Sequence, residues 1–235
     1  MLKDISFIIN KGDKIAILGK NGAGKATIIK LLLRLYDPDE GEILINDINI
    51  KKYNTHYLCS SIKTLFQDFA VYAFSIYENI TLGSKINEQI IEKALKEVEL
   101  YDKITHLEDG VNTPITSQLY KNGIELSGGE TQKVAISRVF ATNTSFFVLD
   151  EPTSSLDPYA EYSLYNNLLQ RSKNESTFIV ISHRLTLTHK MSKIIVIDKG
   201  SIIECGTHKE LMELGGVYSD MYKIQSEKYS DVFYT

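Results

Sequence analysis

From Gly19 to Ala26 the chain reads Gly-Lys-Asn-Gly-Ala-Gly-Lys-Ala, and seven of these eight positions satisfy the phosphate-loop pattern G-x-x-x-x-G-K-[ST]. Glycines let such a loop curl until backbone N–H groups face phosphate oxygens. The helix that follows offers its unpaired N–H groups and the positive end of its dipole to the same anion. Lys25 supplies a mobile cation for the terminal phosphates. Gly19, Asn21, Gly22, Ala23, Gly24, Lys25, Ala26 and Thr27 are therefore the expected nucleotide-binding positions. Ala26 departs from the pattern, because a hydroxyl there would ligate Mg²⁺. Thr27 is rotated about 100° around the helix and does not replace it without a register change.

Further groups stand at strand ends and helix starts. Val148-Leu149-Asp150-Glu151 closes an apolar run, and ligands of α/β sheets bind at the C-terminal edge of the strands. Asp150 is the expected acidic partner of Mg²⁺, and Glu151 is a candidate general base for a water. Ser127-Gly128-Gly129 opens a second helix as another anion nest, and the same residues read as an N-cap with Glu130 in the first turn. His183 follows a buried strand, where an imidazole hydrogen-bonds a γ-phosphate or polarises water. Gln67 ends a strand, and its amide is suited to ordering Mg²⁺ and water. The other histidines, His56, His106, His189 and His208, read as surface or packing residues.

These groups need a scaffold of alternating strands and helices. Lys14–Leu18 is strand-like, and Ile28, Ile29, Leu31, Leu32, Leu33 and Leu35 read as a buried helix stopped at Asp37-Pro38. Strands are also expected at 5–9, 42–45, 48–50, 63–66, 145–149, 177–181, 193–197 and 202–205, the early ones antiparallel. Between Ser75 and Gly110 the apolar residues fall at helical spacing, a helical insert. Helices are further expected from Gly128, over 158–170, and near 208–214 and 218–225. The 235 residues are 43% hydrophobic, enough for a core, and the net charge of −4 offers no global attraction to nucleic acid, which is not an expected partner. Cys59 and Cys205 imply no disulfide framework, and no run approaches the ~18 apolar residues that span a bilayer.

Taken together, these stretches resemble the ATP-binding cassette, the nucleotide-binding domain of ABC transporters, from about Leu2 to Lys223. Gly19–Ala26 resembles Walker A, Leu65–Asp68 the Q-loop, Leu126–Glu130 the signature, and Phe146–Pro152 Walker B with its catalytic glutamate. Ser154–Asp157 resembles the D-loop, and Ser182–Arg184 the switch loop. The stretch from Gly200 to Leu211 is similar to the exporter type.

The resemblance implies an α/β P-loop NTPase cassette with a parallel core sheet, an N-terminal antiparallel β-subdomain and a helical subdomain. The chain would be a single nucleotide-binding domain over 1–235, its core about 1–68 and 124–235 and its helical subdomain about 75–123. ATP and Mg²⁺ are the implied cofactors. Glu151, His183 and Gln67 are implied to be catalytic, Asp150 and Gln67 to serve the metal, and Ser127, Gly128, Gly129 and Asp157 to meet nucleotide. The implied partners are a second nucleotide-binding domain, paired head to tail, and a transmembrane domain, contacted through the helical subdomain and the region around Phe69–Tyr72. The implied location is the cytoplasmic face of the membrane, and the implied activity is ATP hydrolysis driving export.

Four departures shape the expectation. Ala26 is expected to slow hydrolysis, so the alternative function is a nucleotide-gated dimerising module with little turnover. Glu130 stands where the signature has glutamine, and Leu119–Gly123 differs from the exporter pattern before the signature. No Tyr or Phe precedes the first strand to stack on adenine, a contact worth about 1–3 kcal/mol. The chain is therefore read as the C-terminal part of an exporter half-transporter.

Overall fold

The computed structural model describes residues 2–142, 144–171, 176–185 and 188–233. In chain order the elements are β1 (Lys14–Gly19), α1 (Lys25–Leu32), β2 (Leu44–Ile45), β3 (Ile48–Asn49), α2 (Thr55–Ser61), β4 (Ile62–Leu65), α3 (Ile76–Thr81), α4 (Glu88–Glu97), α5 (Tyr101–Thr105) and α6 (Gly128–Phe140). They continue with β5 (Phe146–Asp150), α7 (Pro158–Arg171), β6 (Thr177–Ile181), β7 (Lys193–Asp198), β8 (Ser201–Gly206), α8 (His208–Leu214) and α9 (Val217–Phe233). The chain divides into two compact units, one from 1–63, 144–151 and 172–235, the other from 64–143 and 152–171.

The six-stranded sheet has the order β4-β5-β6-β1-β7-β8, and β5, β6, β1, β7 and β8 belong to the first unit. β5, β6, β1 and β7 run parallel, and β8 returns antiparallel on β7. Ile15 and Ile17 of β1, Phe147 to Leu149 of β5 and Ile194 and Ile195 of β7 are fully buried. Such unbroken apolar runs are what parallel strands covered on both faces require. Each of these large side chains contributes about 1.5–3 kcal/mol through burial. Phe147 and Phe178 are register partners and stack at 4.9 Å between ring centroids.

Register decides what stands at the sheet's edge. Asp150 pairs with Ile181, and Ile17 pairs with Ile181 from the other side. The last residues of β5 and β6 therefore lie level with Ile17 of β1; Glu151 and His183 stand just beyond their strands, and Gly19 is the last residue of β1.

β2 and β3 form a separate two-stranded antiparallel ribbon, and Asn46 and Asp47 between them both have positive φ, 50° and 61°. That is the conformation a tight hairpin needs. The expected strand at 5–9 is a correction. Its alternation survives in burial, with Ile5, Phe7 and Ile9 half-buried and Ile8 exposed, but no ladder pairs it. Period-two patterning reports which side chains are covered; it does not require a hydrogen-bonded neighbour. α2 was not expected, and α1 ends at Leu32, leaving Leu35 exposed.

The second unit is helical. Ile91, Ala94, Leu95 and Val98 of α4 and its end are buried at helical spacing, and Ile76 and Ile80 do the same for α3. Ser75 and Glu78 form a complete capping box at the start of α3, and Ser127 and Glu130 form another at α6. Each satisfies orphan N–H groups of the first turn. Among the described residues, no helix is long and apolar enough to cross a membrane.

Candidate functional site

The loop from Gly19 to α1 is built on left-handed backbone. Gly19 has φ +151°, and a Cβ there would lie 2.2 Å from the Ile197 carbonyl oxygen. Gly24 caps α1 with φ +104°, a conformation that strains any other residue. Inside this curl Lys25 is 7% exposed as a residue, and its ammonium donates to the carbonyls of Gly19 at 2.8 Å and Lys20 at 3.1 Å. Its third neighbour is His183 Nε2 at 3.4 Å. Burial lowers its pKa, opposed by the charges of Glu151 and Asp150.

The Ala23 N–H turns inward to Lys20 O, and those of Thr27 and Ile28 go to Gly24 O. The N–H groups of Gly22, Gly24, Lys25 and Ala26 donate to no described residue. No side chain caps α1, and its first turn holds no acidic residue. Unsatisfied donors around a buried cation are the complement of a polyanion. A triphosphate fits this donor set.

The acidic side of the site lies at the end of β5. Asp150 is 5% exposed. Glu151 has φ 48° and donates its N–H to Ile181 O at 2.9 Å. Left-handed backbone at a non-glycine residue costs on the order of 1–3 kcal/mol and is concentrated at functional sites. The turn brings Glu151 Oε1 to 2.9 Å from His183 Nε2. Thus Lys25, Glu151 and His183 converge, with Asp150 adjoining.

His183 Nε2 faces both a carboxylate and an ammonium. Carrying a proton it donates to Glu151; without one it accepts from Lys25. It does one or the other. Burial is the main cause lowering the His183 pKa, followed by the Lys25 charge, while Glu151 raises it. The folded protein therefore holds fewer protons here than the unfolded chain below about pH 6.5, and stability falls with acidification through that range. The expected result is a urea midpoint that declines from pH 7 to 5.5, and declines less in His183→Gln. Equal slopes would refute it.

The remaining expected positions belong to the second unit. Ser127 Oγ accepts from Glu130 N at 3.3 Å, and Glu130 answers with a 2.9 Å bond from Ser127 N. Lys103 pairs with Glu130 at 2.6 Å. Gly128 and Gly129 form the first turn of α6. Asp157 caps α7, accepting from Tyr159 N and Ala160 N at 2.9 and 3.0 Å. Gln67 lies just past β4.

Other polar residues went unnoticed in the sequence. Gln132, fully buried in α6, donates to Ser154 Oγ at 3.0 Å and accepts from Ser155 N at 2.8 Å. Arg138 donates to the carbonyls of Asn79 and Ala70, and buried Asn79 exchanges bonds with the Tyr72 backbone. They fix the loop that presents half-exposed Tyr72 and Phe74. Gln225 of α9 brackets the turn at His183. Gln132, Arg138 and Gln225 join residues distant in sequence, so no local pattern marks them.

Comparison with known proteins places these features in context. The family model described as ABC transporter matches residues 2–154. A putative multidrug export ATP-binding/permease protein of Staphylococcus aureus is 40% identical over 229 residues, 96% of this chain and 38% of that protein. An ATP-dependent lipid A-core flippase of Burkholderia thailandensis is 33% identical, covering 97% of this chain and 37% of its own length. A solved structure of a bacterial Atm1-family ABC exporter with ATP bound superimposes with a TM-score of 0.87 at 33% identity, over 95% of this chain and 38% of that one. The chain thus spans well under half the length of these relatives.

Proposed function

Because this chain belongs to the ABC transporter family, whose ATP-binding domains it matches, we propose that it binds ATP around Lys25 and hydrolyses it to drive export of a substrate through a membrane-spanning partner. The observation that carries the reading is the set of unsatisfied N–H groups around a buried ammonium, facing Glu151 and His183. Lys25 and the N–H groups of Gly22, Gly24 and Ala26 hold the phosphates. Gly19, Asn21, Ala23 and Thr27 shape the loop. Glu151 accepts the proton of the attacking water, and His183 Nε2 gives its one hydrogen either to that carboxylate, orienting it, or to the terminal phosphate. Asp150 would hold Mg²⁺, which would neutralise charge on the phosphate oxygens.

Ser127, Gly128 and Gly129 form the second anion nest, used by the nucleotide of a facing copy or homologue in a head-to-tail dimer, and Asp157 meets that same nucleotide. The whole chain is one nucleotide-binding domain, with the segment about 75–123 as its helical part. The names of the relatives join ATP binding to a permease or to lipid flipping, which supports a transmembrane partner and a place at the cytoplasmic face of a membrane.

Ala26 sets the rate. Its methyl group is exposed at the first turn of α1 and brings no oxygen to a metal. Loss of a metal's supporting partner typically costs roughly 10–100-fold in affinity or activity. Ala26→Ser is therefore expected to raise Mg²⁺-dependent turnover by about that factor, with ATP uptake in the absence of Mg²⁺ unchanged. Equal steady-state rates in the two proteins would refute this. Negligible turnover in both, with nucleotide bound, would favour the dimerising module in place of the ATPase.

A further inference from the structure

We infer that α9 is a latch on the switch turn, with Gln225 as the positioning residue that holds His183 toward Glu151 and Lys25. The inference rests on the ATPase reading above. Gln225 uses both ends of its amide. Nε2 donates to the His183 carbonyl, and Oε1 accepts from Leu185 N at 2.8 Å. This reciprocal pair fixes the backbone on both sides of Arg184, much as a strand neighbour would. Inside the turn, Ser182 Oγ accepts from Arg184 N at 2.9 Å and donates to Arg184 O at 3.1 Å. The backbone that carries the His183 ring is thus held from two directions, and only one of them is local.

A second contact from α9 has a definite direction. Thr188 Oγ1 donates its hydrogen to Leu185 O at 2.7 Å. Tyr218 OH, 2.7 Å from the same oxygen, must then be the donor to it. Its own oxygen is left to accept from His208 Nδ1, also at 2.7 Å. Tyr218 is fully buried, and Tyr222, one turn on, packs its ring against His208 at 4.9 Å. Tyr218, Tyr222 and Gln225 recur at intervals of four and three, so they share one face of α9. The start of that helix is itself tied to β8, since Glu204 accepts from Val217 N and from Tyr218 N at 2.9 Å. The helix, anchored at one end, therefore reaches the turn directly through Gln225 and, two helical turns away, indirectly through Tyr218 and Thr188, whose hydroxyl bonds Leu185 O.

Neither contact touches the phosphate loop. Releasing Gln225 should disturb the orientation of His183 and leave the donors around Lys25 in place. That separates turnover from nucleotide affinity. The test uses the full chain carrying Ala26→Ser, so that turnover is measurable, with Gln225→Met and Gln225→Glu added singly. Methionine keeps the helix and the approximate volume but makes neither bond. Glutamate keeps an acceptor for Leu185 N and loses the donor to His183 O.

Gln225→Met is expected to speed amide hydrogen exchange at Leu185 about fivefold to tenfold, the value of one hydrogen bond. It should lower kcat by about tenfold and leave the ATP dissociation constant within about twofold, as an orienting contact not made to substrate would. Gln225→Glu should keep the slow exchange at Leu185 and lose kcat similarly. Unchanged kcat in both variants, or kcat and affinity falling together, would overturn the latch. Should Gln225→Met fail to fold, Gln225→Glu alone decides by the same two readouts. If the parent protein takes up no ATP, the ATPase reading fails first, and that failure is distinguishable because the exchange difference at Leu185 is measured without nucleotide.

Discussion

Glu151→Gln is expected to slow ATP hydrolysis by about 10²–10⁴-fold, the usual worth of a positioned general base, while ATP binding persists. The carboxylate sits past the end of β5 on left-handed backbone and meets His183 Nε2 at 2.9 Å. Glutamine preserves the shape and can still pair with the imidazole, but it does not accept a proton from water. Its effect should therefore fall on kcat alone. Single-turnover hydrolysis, measured beside equilibrium binding in the Ala26→Ser background, checks both halves. A variant that hydrolyses as fast as its parent would place the base elsewhere.

Lys25→Ala should weaken ATP binding by about 10- to 100-fold, the loss of a charge-assisted hydrogen bond to phosphate. The ammonium is buried against two loop carbonyls that offer it partial charge only. A bound polyphosphate would supply the full countercharge. Arginine is no substitute, since its planar fork is larger than the curl built for a compact ammonium. A second readout comes from the neighbour. The Lys25 charge helps hold the His183 pKa down, so its removal should move the imidazole's titration upward. Histidine NMR reads that shift without nucleotide. Unaltered ATP affinity in Lys25→Ala would mean that the loop is not the phosphate site.

Most of the candidate site in the first unit was legible because its causes are local. A strand, a glycine curl and a helix start lie within Lys14–Leu32, and the apolar runs at 146–149 and 177–181 have the lengths of buried strands. Capping chemistry likewise marked the start of α6 at Ser127 and Glu130. Legibility ended where two distant segments meet. The alternation at 5–9 expressed burial without pairing. α2 carries one buried residue, Leu58, too little apolar periodicity to announce a helix. The left-handed turn at Glu151 depends on its bond to Ile181 O, on the neighbouring strand. Gln132, Arg138 and Gln225 make their contacts across 22 to 68 residues. No window of sequence contains both partners.

The alignment of sheet ends explains why the site is compact despite its scattered sources. Parallel register sets Asp150 level with Ile181 and Ile17, so one residue past β5, two past β6 and the last residue of β1 bring acid, imidazole and loop to the same edge. The sequence motifs name the residues, and the sheet brings them together.

Isothermal titration of the unmodified chain with ATP and magnesium chloride reaches the central proposal most directly. The account predicts saturable uptake of one nucleotide per chain, complete below millimolar concentration. A flat titration through several millimolar, from protein shown to be folded, would contradict it.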